Sequence, residues 1–471
     1  MGAEAYGLVG FFTMLQAWFS LLDLGLTPTI ARETARYQGG AMAALHYRQL
    51  FRALSCIFLA VALFGGGGLW LLAQPIAYKW LKFESLSMGT VVLAVQIMAI
   101  GVALRWLGGL YRGVITGSER LVWLSGFNAI IATLRFPAAF ISMWLYGFNP
   151  VVFFWHQFIV AVFEVIGLYT MCERLKPNLQ KHEHIGWSIQ PVKPVLKFAL
   201  TIAFTSSVWI LVTQIDKLIL SGILPLAEYG FFTLAVLVAG GIMMLSSPIS
   251  NIIMPRMARL HAEGKHDEMI QVYRSSTQIV GVIAGSAAIT IAFTAEALLY
   301  AWTGDKEIAN NAAPILRLYA LGNGVLVIGA FPYYLQYALG KLRYHLIGNI
   351  LIIVTLVPAV IVAATYYGGT GAGYAWLGIN SIYVIGWAGY VHHKLEPGLH
   401  FTWLINDCLV IYMPVILILS PILIWPLDND NRWAVLGFIA LSSFIAISSA
   451  ILSSNIMRNK IFSKIKSYTY K

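Results

Sequence analysis

Long, nearly unbroken runs of apolar residues alternate with short polar segments along the whole sequence. A membrane-spanning helix needs about 20 mostly apolar residues, whereas a strand of a membrane barrel alternates apolar and polar side chains over about 10 residues. The pattern therefore predicts an all-α polytopic membrane protein. We expect about thirteen transmembrane helices, at 5–26, 51–73, 89–109, 121–145, 150–171, 195–215, 224–249, 275–300, 312–337, 344–366, 372–391, 403–426 and 432–454.

The composition agrees with this prediction. Hydrophobic residues make up 59% of the 471 residues, charged residues make up only 11%, and the mean hydropathy is +0.75. Soluble domains carry about 25% charged residues, and a single aqueous core does not grow to this size. Intrinsic disorder is excluded because it requires low hydrophobicity.

The formal net charge of +11 could indicate nucleic-acid binding, but the positions of the 31 Lys and Arg residues argue against it. When the loops and the adjoining span ends are assigned to alternate sides of the membrane, 23 of these residues lie on one side, 6 on the other and 2 deeper within spans. Lys and Arg concentrate on the cytoplasmic side. The split therefore predicts a cytoplasmic C-terminus and no nucleic-acid partner. It also places the N-terminus outside, so we expect a further helix before Met1; a thirteen-span protein with an external N-terminus is the alternative.

Similar segments about 225 residues apart indicate an internal repeat. EAYGLVGFFT at 4–13 resembles AEYGFFTLAV at 227–236, and each is followed by a basic element that contains a Tyr-Arg pair, at 47–48 and 273–274. A repeat in the same orientation places substrate sites between two halves. We expect two pseudo-symmetric six-helix lobes, the first lacking one helix. The predicted divisions are an N-terminal lobe at 1–172, a cytoplasmic linker at 173–194, a C-terminal lobe at 195–393, and two extra helices with a basic tail at 394–471.

Signatures of soluble enzymes are missing from the sequence. Gly340-Lys341 would fit the end of an ATP-binding loop, but Leu335 stands where that motif requires its first glycine. The three cysteines have no metal-ligand spacing, and the KHEH segment at 181–184 is interpreted as a solvated loop. The sequence therefore predicts a protein that is not an enzyme and has no metal or cofactor.

Ionisable residues inside the spans are the main candidates for function, because each costs at least ~2.5 kcal/mol at the bilayer centre. At 1.5 Å per residue, Arg135 lies about 15 Å and Glu164 about 21 Å from the outer ends of their helices. The difference is one helical turn, so Arg135 can reach Glu164 if the two helices are neighbours. One interpretation is a structural ion pair, and the other is a cation that faces an anionic substrate.

The other candidates are less deeply placed. Arg105 lies nearer the cytoplasmic end of its span, where snorkelling to the surface is the alternative to function. Asp23 lies near the same surface, where hydrogen bonding at a helix end competes with a functional role. Gln214, Asp216 and Lys217 cluster at an outer end, where Asp216 and Lys217 could form an interfacial pair. The predicted substrate-binding set is Arg135, Arg105, Glu164, Asp23, Gln214, Asp216, Lys217 and Arg317.

Several segments resemble the polysaccharide-biosynthesis flippases. They are GAEAYGLVGFF, LLDLGLTPTIAR, LYRGVITGSERLVWLSGFN, QIDKLILSGILPLAEYGFFTLA and PYYLQYALGKLRYHLIGNI. These flippases are the Wzx-type O-antigen translocases, in the larger group that also holds the MATE drug exporters. The resemblance implies a MATE-like fold with two lobes around a cationic cavity. It also implies a lipid-linked substrate, an undecaprenyl-diphosphate oligosaccharide, that moves from the inner to the outer leaflet of the bacterial inner membrane.

The sequence therefore favours a flippase that works by alternating access among membrane lipids. Arg135 and Arg105 would hold the diphosphate, because arginine suits bidentate phosphate contacts, and Glu164 would tune Arg135 or carry a coupling proton. A cation-coupled MATE-like exporter of small molecules is the alternative, and an acidic cavity would favour it. A structural or polysaccharide-polymerase-associated membrane subunit is a third class, for which we expect a closed interior with every intramembrane charge paired.

Overall fold

A computed structural model describes residues 2–23, 25–177, 185–186, 190–424 and 431–458, and helices make up nearly all of these residues. Within these ranges the only β-type pairing is an isolated bridge between Lys82 and Pro225. The predicted all-α fold class is therefore confirmed. The KHEH segment at 181–184 and the basic tail at 459–471 lie outside the described residues.

Packing divides the chain into two compact units, Met1–Gly230 and Phe231–Lys471. This boundary reflects packing within the chain and does not test the lobe boundaries inferred from the sequence repeat, which stay a prediction. The main helices that begin in the first unit are α1 (Ala3–Leu21), α2 (Leu26–Gln38), α3 (Ala44–Leu71), α4 (Met88–Gly117), α5 (Leu121–Arg135), α6 (Pro137–Tyr146), α7 (Pro150–Leu175), α8 (Lys193–Ile223) and α9 (Leu226–Ala262).

The second unit also consists of α-helices, and several of them contain short π-helical turns. They are α10 (His266–Phe293), α11 (Ala295–Thr303), α12 (Lys306–Gly329), α13 (Phe331–Ala338), α14 (Arg343–Leu395), α15 (Leu399–Ile424) and α16 (Arg432–Ser453).

Each predicted span coincides with one or more of these helices. In the described residues, ten helices are long and apolar enough to cross a membrane, and the bent pair α1 and α2 could form an eleventh. Helix α14 accounts for two predicted spans, because its 53 residues would extend about 80 Å, more than twice the thickness of the hydrocarbon layer. Its backbone leaves helical geometry at Gly368 (φ 57°, ψ −141°), between the spans predicted at 344–366 and 372–391.

Helix α4 forms the centre of the first unit, and 56% of its span is buried. Ser87 caps its first turn by accepting a hydrogen bond from the Thr90 amide (3.2 Å). Gly109 and Gly113, four residues apart, let α2 approach closely, since a Cβ at Gly113 would lie 2.7 Å from the Thr27 carbonyl oxygen. This close packing fixes the rotation of α4 and so positions the polar face described next.

Candidate functional site

Three arginines and one glutamate in the first unit form a polar cluster on α4, α5 and α7. Arg105 and Arg112 are seven residues apart on α4, so they lie on the same face of that helix. Arg135 is the last residue of α5. Glu164 lies in α7, and only 5% of its side chain is exposed. Their formal charges give the cluster a net charge of +2.

Glu164 contacts two of the arginines at once. Its Oε2 accepts a hydrogen bond from Arg135 Nη2 at 2.7 Å, and its Oε1 accepts one from Arg112 Nη2. The second fork nitrogen of Arg112 donates to Asn128 Oδ1 (2.8 Å). Both oxygens of the carboxylate are therefore engaged, while the side chains of Arg112 and Arg135 remain 32% and 25% exposed.

Arg105 is held by neutral partners. Its Nη1 donates to Gln16 Oε1 and its Nη2 donates to Gln157 Oε1, both at 2.8 Å. The guanidinium also lies 5.1 Å from the centre of the Phe12 ring, which is a cation–π distance. These contacts satisfy the fork of Arg105 without cancelling its charge.

Arg135 lies at a break between helices α5 and α6. Pro137 lacks an amide hydrogen and cannot continue the hydrogen bonding of α5, so the helix ends at Arg135 and a new one begins. Side chains of α7 donate to carbonyls at this break: Gln157 Nε2 to Arg135 O (2.9 Å) and His156 Nε2 to Leu134 O (2.8 Å). Gln157 thereby links the backbone of Arg135 to the guanidinium of Arg105.

Two donors of the cluster are left over. The Nε atoms of Arg105 and Arg135 are buried and have no hydrogen-bond partner among the described residues. A buried N–H group without a partner carries a desolvation cost of about 1–3 kcal/mol. This cost is recovered only if an acceptor reaches these atoms, which are not accessible in this conformation.

The structure brings together three of the predicted site residues. Arg135 and Glu164 make the contact that their depths suggested, so the two helices are neighbours. Arg105 bonds to Gln16 and Gln157 and does not snorkel to the surface, contrary to the alternative that its position suggested. Its partners lie on α1 and α7, far away in sequence, which hydropathy alone cannot reveal.

The other predicted residues have separate local contacts. Asp23 accepts hydrogen bonds from the amide and hydroxyl of Thr27 (3.1 and 2.6 Å) in the first turn of α2, as a helix cap does. Asp216 is buried and lies 3.8 Å from Lys217 Nζ, which donates to a carbonyl of α8. Gln214 is half-buried on the same helix. Arg317, in the second unit, donates from Nε to Ala292 O (3.1 Å) and lines a cavity of about 600 Å³.

Sequence reasoning missed Arg112, which it assigned to a cytoplasmic loop because the apolar run ends at 109. The helix continues to Gly117, and the spacing of Gly109, Gly113 and Gly117 at every fourth residue was the available signal. Metal binding has no evident site, since no group of three or more His, Cys, Asp or Glu residues in the described part of the chain could hold an ion.

The fold is that of the MOP-superfamily transporters. The lipid II flippase MurJ in an inward closed conformation superposes with a TM-score of 0.66 at 12% identity, over 98% of this chain and 97% of MurJ. An inward-facing multidrug resistance MATE family transporter gives 0.65 at 14% identity, over 84% and 91%. A MOP-superfamily transporter from Pyrococcus furiosus gives 0.53 at 13% identity, over 83% and 88%. At these identities the similarity establishes the fold, and the predicted MATE-like architecture is confirmed.

The family follows from the sequence. Residues 1–261 match the family described as "Polysaccharide biosynthesis protein", which covers more than half of the chain, so this protein belongs to that family. The predicted membership in a polysaccharide-biosynthesis family is therefore confirmed. No curated protein matches the sequence.

Proposed function

We propose that this protein translocates a lipid-linked oligosaccharide with a diphosphate linkage across the membrane, by alternating access. The observation that supports this most is the charge of the cluster in the first unit, which contains three arginines and one glutamate that contacts two of them. A diphosphate diester carries about two negative charges, and arginine binds phosphate oxygens with parallel N–H donors. The charges of ligand and cluster therefore match.

The roles of the residues follow from their contacts. Arg105 and Arg135 hold the diphosphate through their positive charge, and the amide partners of Arg105 leave its charge unneutralised. Arg112 adds the third positive charge. Glu164 is a positioning residue, because it holds Arg112 and Arg135 at a fixed spacing through its two oxygens. Gln157 couples the backbone at Arg135 to Arg105, so a shift of one arginine is transmitted to the other.

The alternatives agree less well with the cluster. An exporter of small cations needs an excess of acidic groups at its binding site, whereas here the excess is basic. A purely structural membrane subunit should pair each buried charge with an opposite one, but Arg105 bonds to two amides. The geometry therefore favours an anionic substrate.

Several details belong to the proposal: undecaprenyl as the lipid, the bacterial inner membrane as the location, movement from the inner to the outer leaflet, and association with a polysaccharide polymerase. The cytoplasmic C-terminus stays a prediction from the charge distribution. A reporter enzyme fused after Lys471 tests the orientation, since a periplasmic signal would contradict it.

The function is tested by deleting the gene in its own host. We expect surface polysaccharide to disappear and the lipid-linked precursor to accumulate with its sugar on the cytoplasmic face, where a glycosidase cleaves it in lysed spheroplasts but not in intact ones. Re-expression of the protein restores the surface polymer. An unchanged surface polymer, or a precursor that still reaches the outer face, would refute the proposal.

A further inference from the structure

The repeat relates α3 of the first unit to α10 of the second. Aligning the pair Tyr47-Arg48 with Tyr273-Arg274 sets an offset of 226 residues. At this offset the same face of both helices is buried, with each of these side chains less than 9% exposed. The matching positions are Tyr47, Leu54, Phe58 and Ala62 in α3, and Tyr273, Val280, Ala284 and Ala288 in α10.

The adjoining face of α10 is covered by α15. Arg274 Nε donates to Asp407 Oδ2 (2.7 Å), and Gln278 Nε2 donates to Asp407 Oδ1 (2.7 Å). Further along, a Cβ at Gly281 would lie 3.5 Å from Tyr412 Oη, and a Cβ at Gly285 would overlap the same ring. The span that contains this face is consequently 72% buried.

The equivalent face of α3 is much less buried than the face of α10. Its positions are Arg48, Arg52, Ser55 and Leu59, and the span of α3 is only 22% buried. These side chains line a pocket of about 300 Å³. Lys176, which follows α7, also lines the pocket and lies 4.5 Å from the Phe51 ring, but its ammonium is paired with Glu173.

Two differences indicate what covers this face. The close approach of Tyr412 depends on Gly281 and Gly285, whose counterparts Ser55 and Leu59 carry side chains that would obstruct a helix packed in the same way. The counterpart of Gln278 is Arg52, so this face of α3 carries two arginines where the face of α10 carries one. A flexible acyl chain can pack against the Leu59 side chain, which is 50% exposed. Clustered basic residues near a membrane surface attract the phosphate of an anionic lipid.

We propose that this pocket binds an anionic phospholipid, with its phosphate at Arg48 and Arg52 and an acyl chain along Leu59. The site lies at the end of α3 that the charge distribution predicts to be cytoplasmic, so the lipid comes from that leaflet. The bound lipid covers in the first unit the surface that α15 covers in the second.

The proposal is tested by native mass spectrometry of the purified full-length protein titrated with phosphatidylglycerol or phosphatidylcholine. We expect the wild type to prefer phosphatidylglycerol. In Arg48→Gln/Arg52→Gln, affinity for phosphatidylglycerol should fall about 30-fold, because each basic residue near an anionic lipid contributes about a five-fold factor. The control Arg120→Gln/Lys341→Gln removes two exposed basic charges elsewhere and should keep the wild-type affinity.

A second variant guards against misfolding of the first. Ser55→Asp leaves both arginines in place and introduces a carboxylate within the pocket, so it should weaken phosphatidylglycerol binding as well. Equal affinity of the wild type for the two lipids, unchanged binding in both pocket variants, or an equal loss in the control would overturn the proposal. So would displacement of the lipid by glycerol phosphate at equal concentration, or a copurifying membrane protein that occupies this face.

Discussion

Replacing Arg135 by Gln separates a substrate-binding role from a structural one. The substitution removes one of the two cations that contact Glu164, but Arg112 keeps its hydrogen bond to the other carboxylate oxygen. Glu164 is therefore not stranded as an unpaired buried charge. If Arg135 binds substrate, Arg135→Gln should abolish transport while the protein stays folded.

The size of the effect on stability follows from these contacts. Removing the sole partner of a buried ion typically costs ~3–5 kcal/mol, whereas losing one hydrogen bond to a charged group costs ~1.5–3 kcal/mol. Because the Arg135 side chain is 25% exposed, we expect the low end of the second range for Arg135→Gln. Glu164→Gln should cost more, since it leaves Arg112 and Arg135 close together without the carboxylate between them.

The assay is complementation of the gene-deleted host, with surface polysaccharide and membrane-inserted protein measured in the same cells. Arg135→Lys keeps a cation but loses the planar fork, so it should retain partial transport. Arg120→Gln, an exposed site in the same unit, is the matched control and should behave as wild type. Thermal unfolding of the purified variants measures their folding independently of transport.

The double variant Arg135→Gln/Glu164→Gln decides between the two roles. A substrate-binding Arg135 predicts that it accumulates in the membrane but remains inactive. A purely structural pair predicts that Arg135→Gln lowers transport only as far as it lowers the level of folded protein, and that the second substitution restores both. Recovery of transport in the double variant would refute the assignment of Arg135 to the substrate.

Three further predictions concern neighbouring contacts. Asn128→Asp should preserve the hydrogen bond of Arg112 but lower the net charge of the cluster by one, so transport should fall at normal protein levels in the complementation assay. Gly113→Val should destabilise the protein by about 1–3 kcal/mol, as overpacking typically does; thermal unfolding in detergent measures this, and an unchanged midpoint would contradict the close approach of α2. Asp407→Asn should loosen α15 by removing the charge bound by Arg274, which limited proteolysis detects as faster cleavage between α14 and α15.

The spans were predictable because the cost of exposing polar backbone to lipid forces each apolar run into a helix. Contact between Arg135 and Glu164 was predictable for a related reason, since consecutive spans joined by a short loop are usually adjacent and the helical rise fixes depth. Arg112 was lost because hydropathy marks where the apolar run ends, and α4 continues beyond that point to Gly117.

The partners of Arg105 illustrate what a single sequence does not contain. Gln16 and Gln157 belong to helices that are 89 and 52 residues away from Arg105 along the chain. Nothing in the local pattern around either glutamine differs from that of a polar side chain on an outward face. Their role depends on how α1, α4 and α7 rotate about their axes, which close packing determines.

The choice of partners explains how the cluster can be both buried and basic. A carboxylate beside each arginine would satisfy the guanidinium but leave no net charge for an anionic ligand. Gln16, Gln157 and Asn128 instead accept hydrogen bonds through neutral oxygens, so they lower the cost of burying N–H groups and leave the positive charge in place. The single carboxylate, Glu164, limits the repulsion between Arg112 and Arg135 where their forks converge. The amides satisfy N–H groups without removing positive charge, and the one acid limits repulsion between arginines. Such a site can bind an anion and then release it.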